Sequence, residues 1–241
     1  MPLCRLLENQ GASTLRLPSI EIKAIGSRRE TSAQLGTLAQ FDFIIFTSTN
    51  AVRFGALLLD QKRDLTLAAL GPATARALNQ AGYRVALQPN DTFDSESLLR
   101  HPRLEHLAGR RVLIIKGSGG RPFLAQQLTQ RGADVVTADV YQRLPATPSQ
   151  AVLGALLEQF RAGAVQVITA TSLEIAVNLL GIVTPELRDE FQGVHWLVAG
   201  ARIAAGVRER GLAAPMLQSD SAEDQDLVAA LLRWRSSASG A

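Results

Sequence analysis

The chain has 241 residues, 46% of them hydrophobic and 20% charged, with a formal net charge of +3. That apolar fraction reads against a disordered chain, and no uncharged apolar run reaches the roughly 18 residues that a membrane-spanning helix needs. Met1-Pro2-Leu3-Cys4-Arg5 lacks the pattern of a secretory signal, and one cysteine with three histidines (His101, His106, His195) builds neither an internal disulfide nor a Cys-rich metal cluster. A reducing, cytoplasmic setting is the expectation.

Taken in chain order, short β-branched runs alternate with longer helical ones. Strands are predicted at 42–47, 67–70, 84–87, 111–116, 134–141, 164–169, 194–198 and 213–217. The runs IIF, VLII and VQVI suit strands buried on both faces of a parallel sheet. Helices are predicted at 50–59, 73–81, 95–106, 122–131, 149–161, 172–180, 185–191, 201–210 and 221–235, with a frayed end at 236–241. Gly82, Gly132 and Gly211 follow helix ends, where a left-handed residue costs least. This alternation predicts an α/β fold with parallel sheets.

An internal echo recurs at about 120–130 residues. LAALGPATARALNQAGYRV (67–85) parallels WLVAGARIAAGVRERGLAA (196–214), and both predicted strands 42–47 and 164–169 run into Thr-Ser before a helix. Two similarly built α/β domains are therefore expected. The extended stretches 16–25 and 135–144 fit neither half. They suit the outward and return connectors of an inserted domain.

The charge is uneven. Residues 26–140 hold 14 Lys and Arg against 10 Asp and Glu, a net of +4, while the rest hold 11 against 12. Of the 25 basic residues 22 are arginine, whose planar fork pairs with carboxylates and phosphates. An anionic ligand and plain surface charge both fit this count. Nucleic acid fits poorly, because basic residues are scattered and only 5% of residues are aromatic.

No nucleophile elbow, zinc motif or P-loop occurs. Gly117-Ser118-Gly119-Gly120-Arg121 follows a predicted strand and opens a helix. It reads as an anion-binding loop or as a tight βα turn. Small hydroxyl residues recur where strands enter helices: Thr47 and Ser48, Thr74, then Thr169, Thr171 and Ser172. The carboxyl ends of strands form the ligand crevice of open α/β sheets, and the same residues also serve as ordinary helix caps. Both readings stand at this level.

Four features occur together and in order: a strand ending in Thr-Ser before Asn-Ala-Val in FDFIIFTSTNAVRF (41–54), a Gly-x-x-Thr-Ala turn in ALGPATARALNQAGYRV (69–85), a Gly-Gly-Arg loop, and Val-Tyr-x-Arg after an RGA-x-V strand in RVLIIKGSGGRPFLAQQLTQRGADVVTADVYQR (111–143). In these the chain resembles the uroporphyrinogen-III synthase family. The resemblance implies two flavodoxin- or Rossmann-like parallel-sheet α/β domains, one inserted in the other, joined by a two-stranded β-ladder. Residues 26–137 would form the inserted domain, and 1–25 with 138–241 the outer one.

The resemblance also implies an activity. The family closes hydroxymethylbilane, a linear tetrapyrrole with eight carboxylate arms, into uroporphyrinogen III. The terminal pyrrole ring is inverted, water is lost, and neither a cofactor nor a metal is needed. By this likeness Tyr141 is the candidate acid for the departing hydroxyl, or else a tyrosine packing across the ladder. Thr47, Ser48, Thr74, Gly119, Gly120 and Arg121 would line one wall, and Thr169, Thr171 and Ser172 the other. Arg53, Lys116 and Arg143 are electrostatic guides or surface residues. The expected partner is the small polycarboxylate, with hand-over from hydroxymethylbilane synthase, and with no nucleic acid, no membrane and a monomeric state. A catalytically degenerate binding or regulatory relative is the alternative. Two departures favour it. The family's opening strand and its Thr-Arg-Pro are absent from this numbering, so the start lies too far downstream or the outer domain lacks a strand. The turn Val198-Ala199-Gly200-Ala201-Arg202-Ile203 also lacks the family's Ser or Thr.

Overall fold

The computed structural model describes residues 2–59, 65–89 and 92–238. The chain divides into two compact units. Unit 1 comprises Met1–Glu21 and Pro145–Ala241, and unit 2 comprises Ile22–Leu144. The division falls within the extended connectors rather than at 25 and 137. The reason is that both connectors are strands added to the sheet of unit 2.

Unit 2 has a six-stranded sheet built from β1 (Ile20–Ala24), β2 (Phe43–Phe46), β3 (Leu67–Ala69), β4 (Val85–Leu87), β5 (Arg111–Gly117) and β6 (Asp134–Pro145), in the order β1-β6-β5-β2-β3-β4. The five strands from β6 to β4 are parallel. β1 runs along the outer edge of β6, where Ile25 N–H donates to Val140 O and Ala146 N–H to Ser19 O, both at 3.1 Å. Those partners run in opposite directions, as in an antiparallel pair. α3 (Thr49–Gly55) and α4 (Pro72–Gln80) cover one face through Ala51, Val52, Ala75 and Leu78. α5 (Ser95–Leu99) and α6 (Phe123–Gln130) cover the other through Leu98, Leu99, Leu124 and Leu128. The sheet is thus doubly wound. After edge strand β1 the chain enters central β2, builds outward through β3 to β4, then returns to β5 on the other side of β2. The connections change direction between β2 and β5, which is where such folds open a crevice at the strands' carboxyl ends.

Unit 1 has a three-stranded parallel sheet of β7 (Val167–Ala170), β8 (His195–Ala199) and β9 (Met216–Ser219), in that order. Its helices are α1 (Pro2–Asn9), α7 (Gln150–Arg161), α8 (Leu173–Ile182), α9 (Pro185–Gly193), α10 (Ala201–Arg208) and α11 (Asp224–Ala238). The core is centred on Trp196, whose indole N–H donates to Phe191 O at 3.0 Å. β7 corresponds to β2 but lies at a sheet edge. All four β2 residues are buried, whereas in β7 Ala170 alone is. Among the described residues no strand lies outside β7.

Several predicted elements shift. The helix expected at 95–106 stops at Leu99 and resumes as a 3-10 turn at Pro102–Leu104. Proline lacks the N–H that would continue the helix and holds His101 in an extended conformation. The helix expected at 50–59 passes into a 3-10 turn over Ala56–Leu59. One helix, α2 (Arg28–Leu35), escapes the apolar pattern because it buries Leu35 alone. A capping box starts it instead. Ser27 Oγ accepts from Glu30 N–H at 3.2 Å, and Glu30 accepts from Ser27 N–H at 2.7 Å. The expected fraying at 236–238 is replaced by continued helix, and 239–241 lie outside the described residues. No helix among the described residues is long and apolar enough to cross a membrane.

Candidate functional site

In unit 2 the candidate residues converge on the outlets of β2 and β5. β2 ends at Phe46, and Thr47 and Ser48 turn the chain into α3. Thr47 N–H donates to Ile115 O of β5 at 3.2 Å, and its hydroxyl reaches the same oxygen at 3.5 Å. Ser48 is the N-cap of α3, and its Oγ accepts from Ala51 N–H at 3.0 Å. That bond fixes the serine rotamer. The same Oγ lies 3.1 Å from the Tyr141 hydroxyl, which arrives from β6, two strands away from β2.

Tyr141 is 92% buried, with a relative exposure of 8%. Its ring stacks on Phe54 of α3, with centroids 6.0 Å apart and planes 25° from parallel. The hydroxyl is therefore the one polar part of a packed aromatic side chain, held beside the β2 outlet by a helix-capping serine.

The loop after β5 is held from one side by Lys116. Its Nζ donates to Gly117 O, Gly119 O and Asp139 Oδ1, each at 2.9 Å. All three ammonium protons are used in this way. Lys116 is thus committed to shaping the loop, and not to the role of a free electrostatic guide. Gly119 and Gly120 both take positive φ (77° and 82°), which lets the loop turn sharply with its backbone exposed. Arg121 is exposed, pairs with Glu96, and lies 5.1 Å over the Phe123 ring. Its hydrogen bond and charge hold the Glu96 carboxyl below the usual glutamate range. Thr74 is buried, at 4% exposure, in the first turn of α4, behind the Gly71 cap at the outlet of β3.

Unit 1 repeats the arrangement in part. Thr169 lies within β7, and Thr171 and Ser172 follow it, all half-buried. Ser172 caps α8, accepting from Ile175 N–H at 3.2 Å. The outlet of β8 differs. Gly200 caps α10 without a side-chain bond, at φ 92° against −162° for its counterpart Gly71. The position matching Thr74 is buried Ile203, so this turn carries no hydroxyl. The histidines do other work. His101 Nδ1 accepts from Arg103 N–H at 3.2 Å, and the His195 ring packs 5.0 Å from Trp234.

Sequence reasoning gives Gly117 only as part of the Gly-rich loop, not as a neighbour of Tyr141, and misses Asp139. A signal for the first was present, since a glycine in a strand marks a close approach by another group. Asp139 carries no signal before the pairing of β5 with β6 is known.

Comparison with known proteins bears on this geometry. Residues 2–229 match the family model described as Uroporphyrinogen-III synthase HemD. The chain is 30% identical over 236 residues to the uroporphyrinogen-III synthase of Escherichia coli K12, covering 93% of this chain and 92% of that one. It is 32% identical over 225 residues to that of Salmonella typhimurium, covering 89% and 88%. Among solved structures, the uroporphyrinogen-III synthetase of Helicobacter pylori shares its fold with a TM-score of 0.62 at 17% identity, covering 90% of this chain and 92% of that one. A mutant uroporphyrinogen III synthase of Thermus thermophilus gives a TM-score of 0.52 at 23% identity, covering 96% and 93%.

Proposed function

The chain belongs to the uroporphyrinogen-III synthase family, and we propose on that footing that it is a lyase of tetrapyrrole biosynthesis, cyclising hydroxymethylbilane to uroporphyrinogen III. The observation that carries a working mechanism is the Tyr141 hydroxyl, held 3.1 Å from Ser48 at the crevice between the β2 and β5 outlets.

The reaction asks little of a nucleophile. Loss of hydroxide from the substrate leaves an electrophilic azafulvenium, which the substituted α-carbon of the terminal pyrrole attacks to give a spiro intermediate. The bond from that carbon to its old methylene then breaks, and the ring's free α-carbon closes on that methylene, so that the ring is inverted. Tyr141 donates the proton that turns the leaving hydroxide into water. The proton released when the pyrrole regains aromaticity returns to the phenolate, so the balance is one water lost. Ser48 serves this cycle by sharing a hydrogen bond with the phenolic oxygen, in which either hydroxyl can donate. When Ser48 donates, the Tyr141 proton is left for the leaving group. The protein's larger contribution is orientation of a flexible chain. Thr47, Thr74 and the Gly119-Gly120-Arg121 turn offer donors to carboxylate arms, and Thr169, Thr171 and Ser172 offer a second set. Arg121 meets an arm by exchanging Glu96 for it. The net charge of +4 over residues 26–140 supports attraction of a polyanion. We assign the same polycarboxylate as the partner, with hand-over from hydroxymethylbilane synthase to a monomer in the cytoplasm. The single cysteine supports that location.

The bare turn at Gly200 favours a second reading, a binding relative without turnover. Incubation with freshly made hydroxymethylbilane separates the two. The enzyme gives the type III isomer, whereas a binding relative leaves only the type I isomer that forms spontaneously. Tyr141→Phe is expected to lower kcat by about 100-fold, the lower end for a lost general acid, with KM within about twofold. An unchanged kcat would remove Tyr141 from the acid role.

A further inference from the structure

Consecutive residues of a regular strand point to opposite faces of the sheet. β6 departs from this at one place. Val136, Ala138 and Val140 pack into the cluster on the α3 and α4 face, two residues apart as a strand requires. Tyr141, the very next residue, packs into the same cluster. The register explains it. Lys116 lies opposite Asp139, but Gly117 lies opposite Tyr141, so Val140 has no partner on β5. This is a β-bulge, in which one extra residue turns the following side chain. It is held from both sides, since Ile25 N–H donates to Val140 O at 3.1 Å and Ser118 N–H to Tyr141 O at 2.7 Å.

The redirected ring also needs room. β5 lies between β6 and β2, so a hydroxyl carried from one to the other must cross the end of β5. It crosses at Gly117. A Cβ there would lie 2.5 Å from Tyr141 Cζ, and 2.7 and 2.9 Å from the two Cε atoms. Cζ is the carbon that bears the hydroxyl. Gly117 does not take a positive φ, so its value is the space it leaves and not its backbone freedom. The Lys116–Asp139 pair, 2.9 Å long, staples the residue before the glycine to the residue before the bulge.

We infer that Gly117 is a positioning residue of the reaction: together with the bulge at Val140, stapled by Lys116 and Asp139, it sets the Tyr141 hydroxyl against Ser48. The inference rests on the assignment of Tyr141 to the chemistry. The chain has two tyrosines, Tyr83 and Tyr141. Fluorotyrosine-labelled protein therefore gives two fluorine resonances, which Tyr83→Phe assigns. In Gly117→Ala the Tyr141 resonance moves and the Tyr83 resonance does not. kcat falls about tenfold or more with KM within about twofold, and the same substitution placed on Tyr141→Phe lowers kcat no further. An unmoved Tyr141 resonance overturns the inference. So does an equal loss of kcat in the Tyr141→Phe background, which marks a general effect on the fold. A moved resonance with unchanged kcat supports the positioning and overturns the acid role of Tyr141 instead. Lys116→Met leaves the glycine in place and decides the matter if Gly117→Ala fails to fold. It moves the same resonance by a smaller amount and lowers kcat by a smaller factor, and no movement overturns the staple.

Discussion

Ser48 and Ser172 are matched helix caps, and the contrast between them measures what the Tyr141 contact is worth. Each Oγ accepts one N–H in the first turn of its helix, Ala51 at 3.0 Å and Ile175 at 3.2 Å. Replacing either by alanine loses about 1 kcal/mol of capping. Ser48→Ala also strips the partner from a tyrosine hydroxyl whose residue is only 8% exposed. That adds about 1 kcal/mol, the typical net worth of such a bond. At roughly 4 °C per kcal/mol for units of this size, Ser48→Ala should lower the melting midpoint by about 8 °C and Ser172→Ala by about 4 °C. The two units have separate reporters. Trp196 and Trp234 both lie in unit 1, and Tyr83 and Tyr141 in unit 2. Tryptophan fluorescence therefore follows the Ser172→Ala loss, while calorimetry and far-ultraviolet dichroism follow both. Equal midpoint shifts for the two variants would refute the reasoning, because the Tyr141 contact would then add nothing to the cap. Ser48→Thr keeps the hydroxyl and should recover most of the difference.

Two further outcomes follow from the packing and the charges. Trp196 is fully buried and donates to Phe191 O, so Trp196→Phe removes both volume and a donor. It should cost about 2–3 kcal/mol, read as a lower urea midpoint with an unchanged slope, and a loss below about 1 kcal/mol would contradict the assigned core. The Asp42 carboxyl is held below the usual aspartate range, first by the Arg111 N–H and then by the Arg110 side chain. A carboxyl with a depressed value in the folded state stabilises at pH above its unfolded value, about 4, and loses that contribution as pH falls through the folded value. Asp42→Asn should therefore be less stable than the parent at pH 6 and draw level with it as the pH falls below 4. A difference that persists unchanged at low pH would exclude this carboxylate as the cause.

The resemblance and the alternating pattern reach different depths of this molecule, and the reason is physical. β2 and β5 are legible because strands buried on both faces must be apolar without interruption, as FIIF and VLII are. α2 is not, because a capping box and a single buried leucine hold it, and neither produces a helical apolar period. Thr47, Ser48 and the Gly119-Gly120 turn are legible as positions, because strand outlets are where an α/β sheet presents its backbone. What they do is settled by partners far away in the chain. Ser48 and Tyr141 are 93 residues apart, and their contact depends on a strand order of β6-β5-β2. Even the face on which Tyr141 lies runs against the sequence. Period-2 alternation puts it opposite Val140, and one unpaired residue in the ladder reverses that. A motif such as Val-Tyr-x-Arg therefore marks the residue but not its aim. The aim comes from Gly117 on the neighbouring strand, which contributes by having no side chain. Any chain of this family in which a larger residue stood opposite the tyrosine would have to abandon the bulge or turn the ring away from the capping serine. The pairing of a strand-terminal glycine with a bulged tyrosine is thus a stricter signature of a tyrosine set against the capping serine than either residue alone.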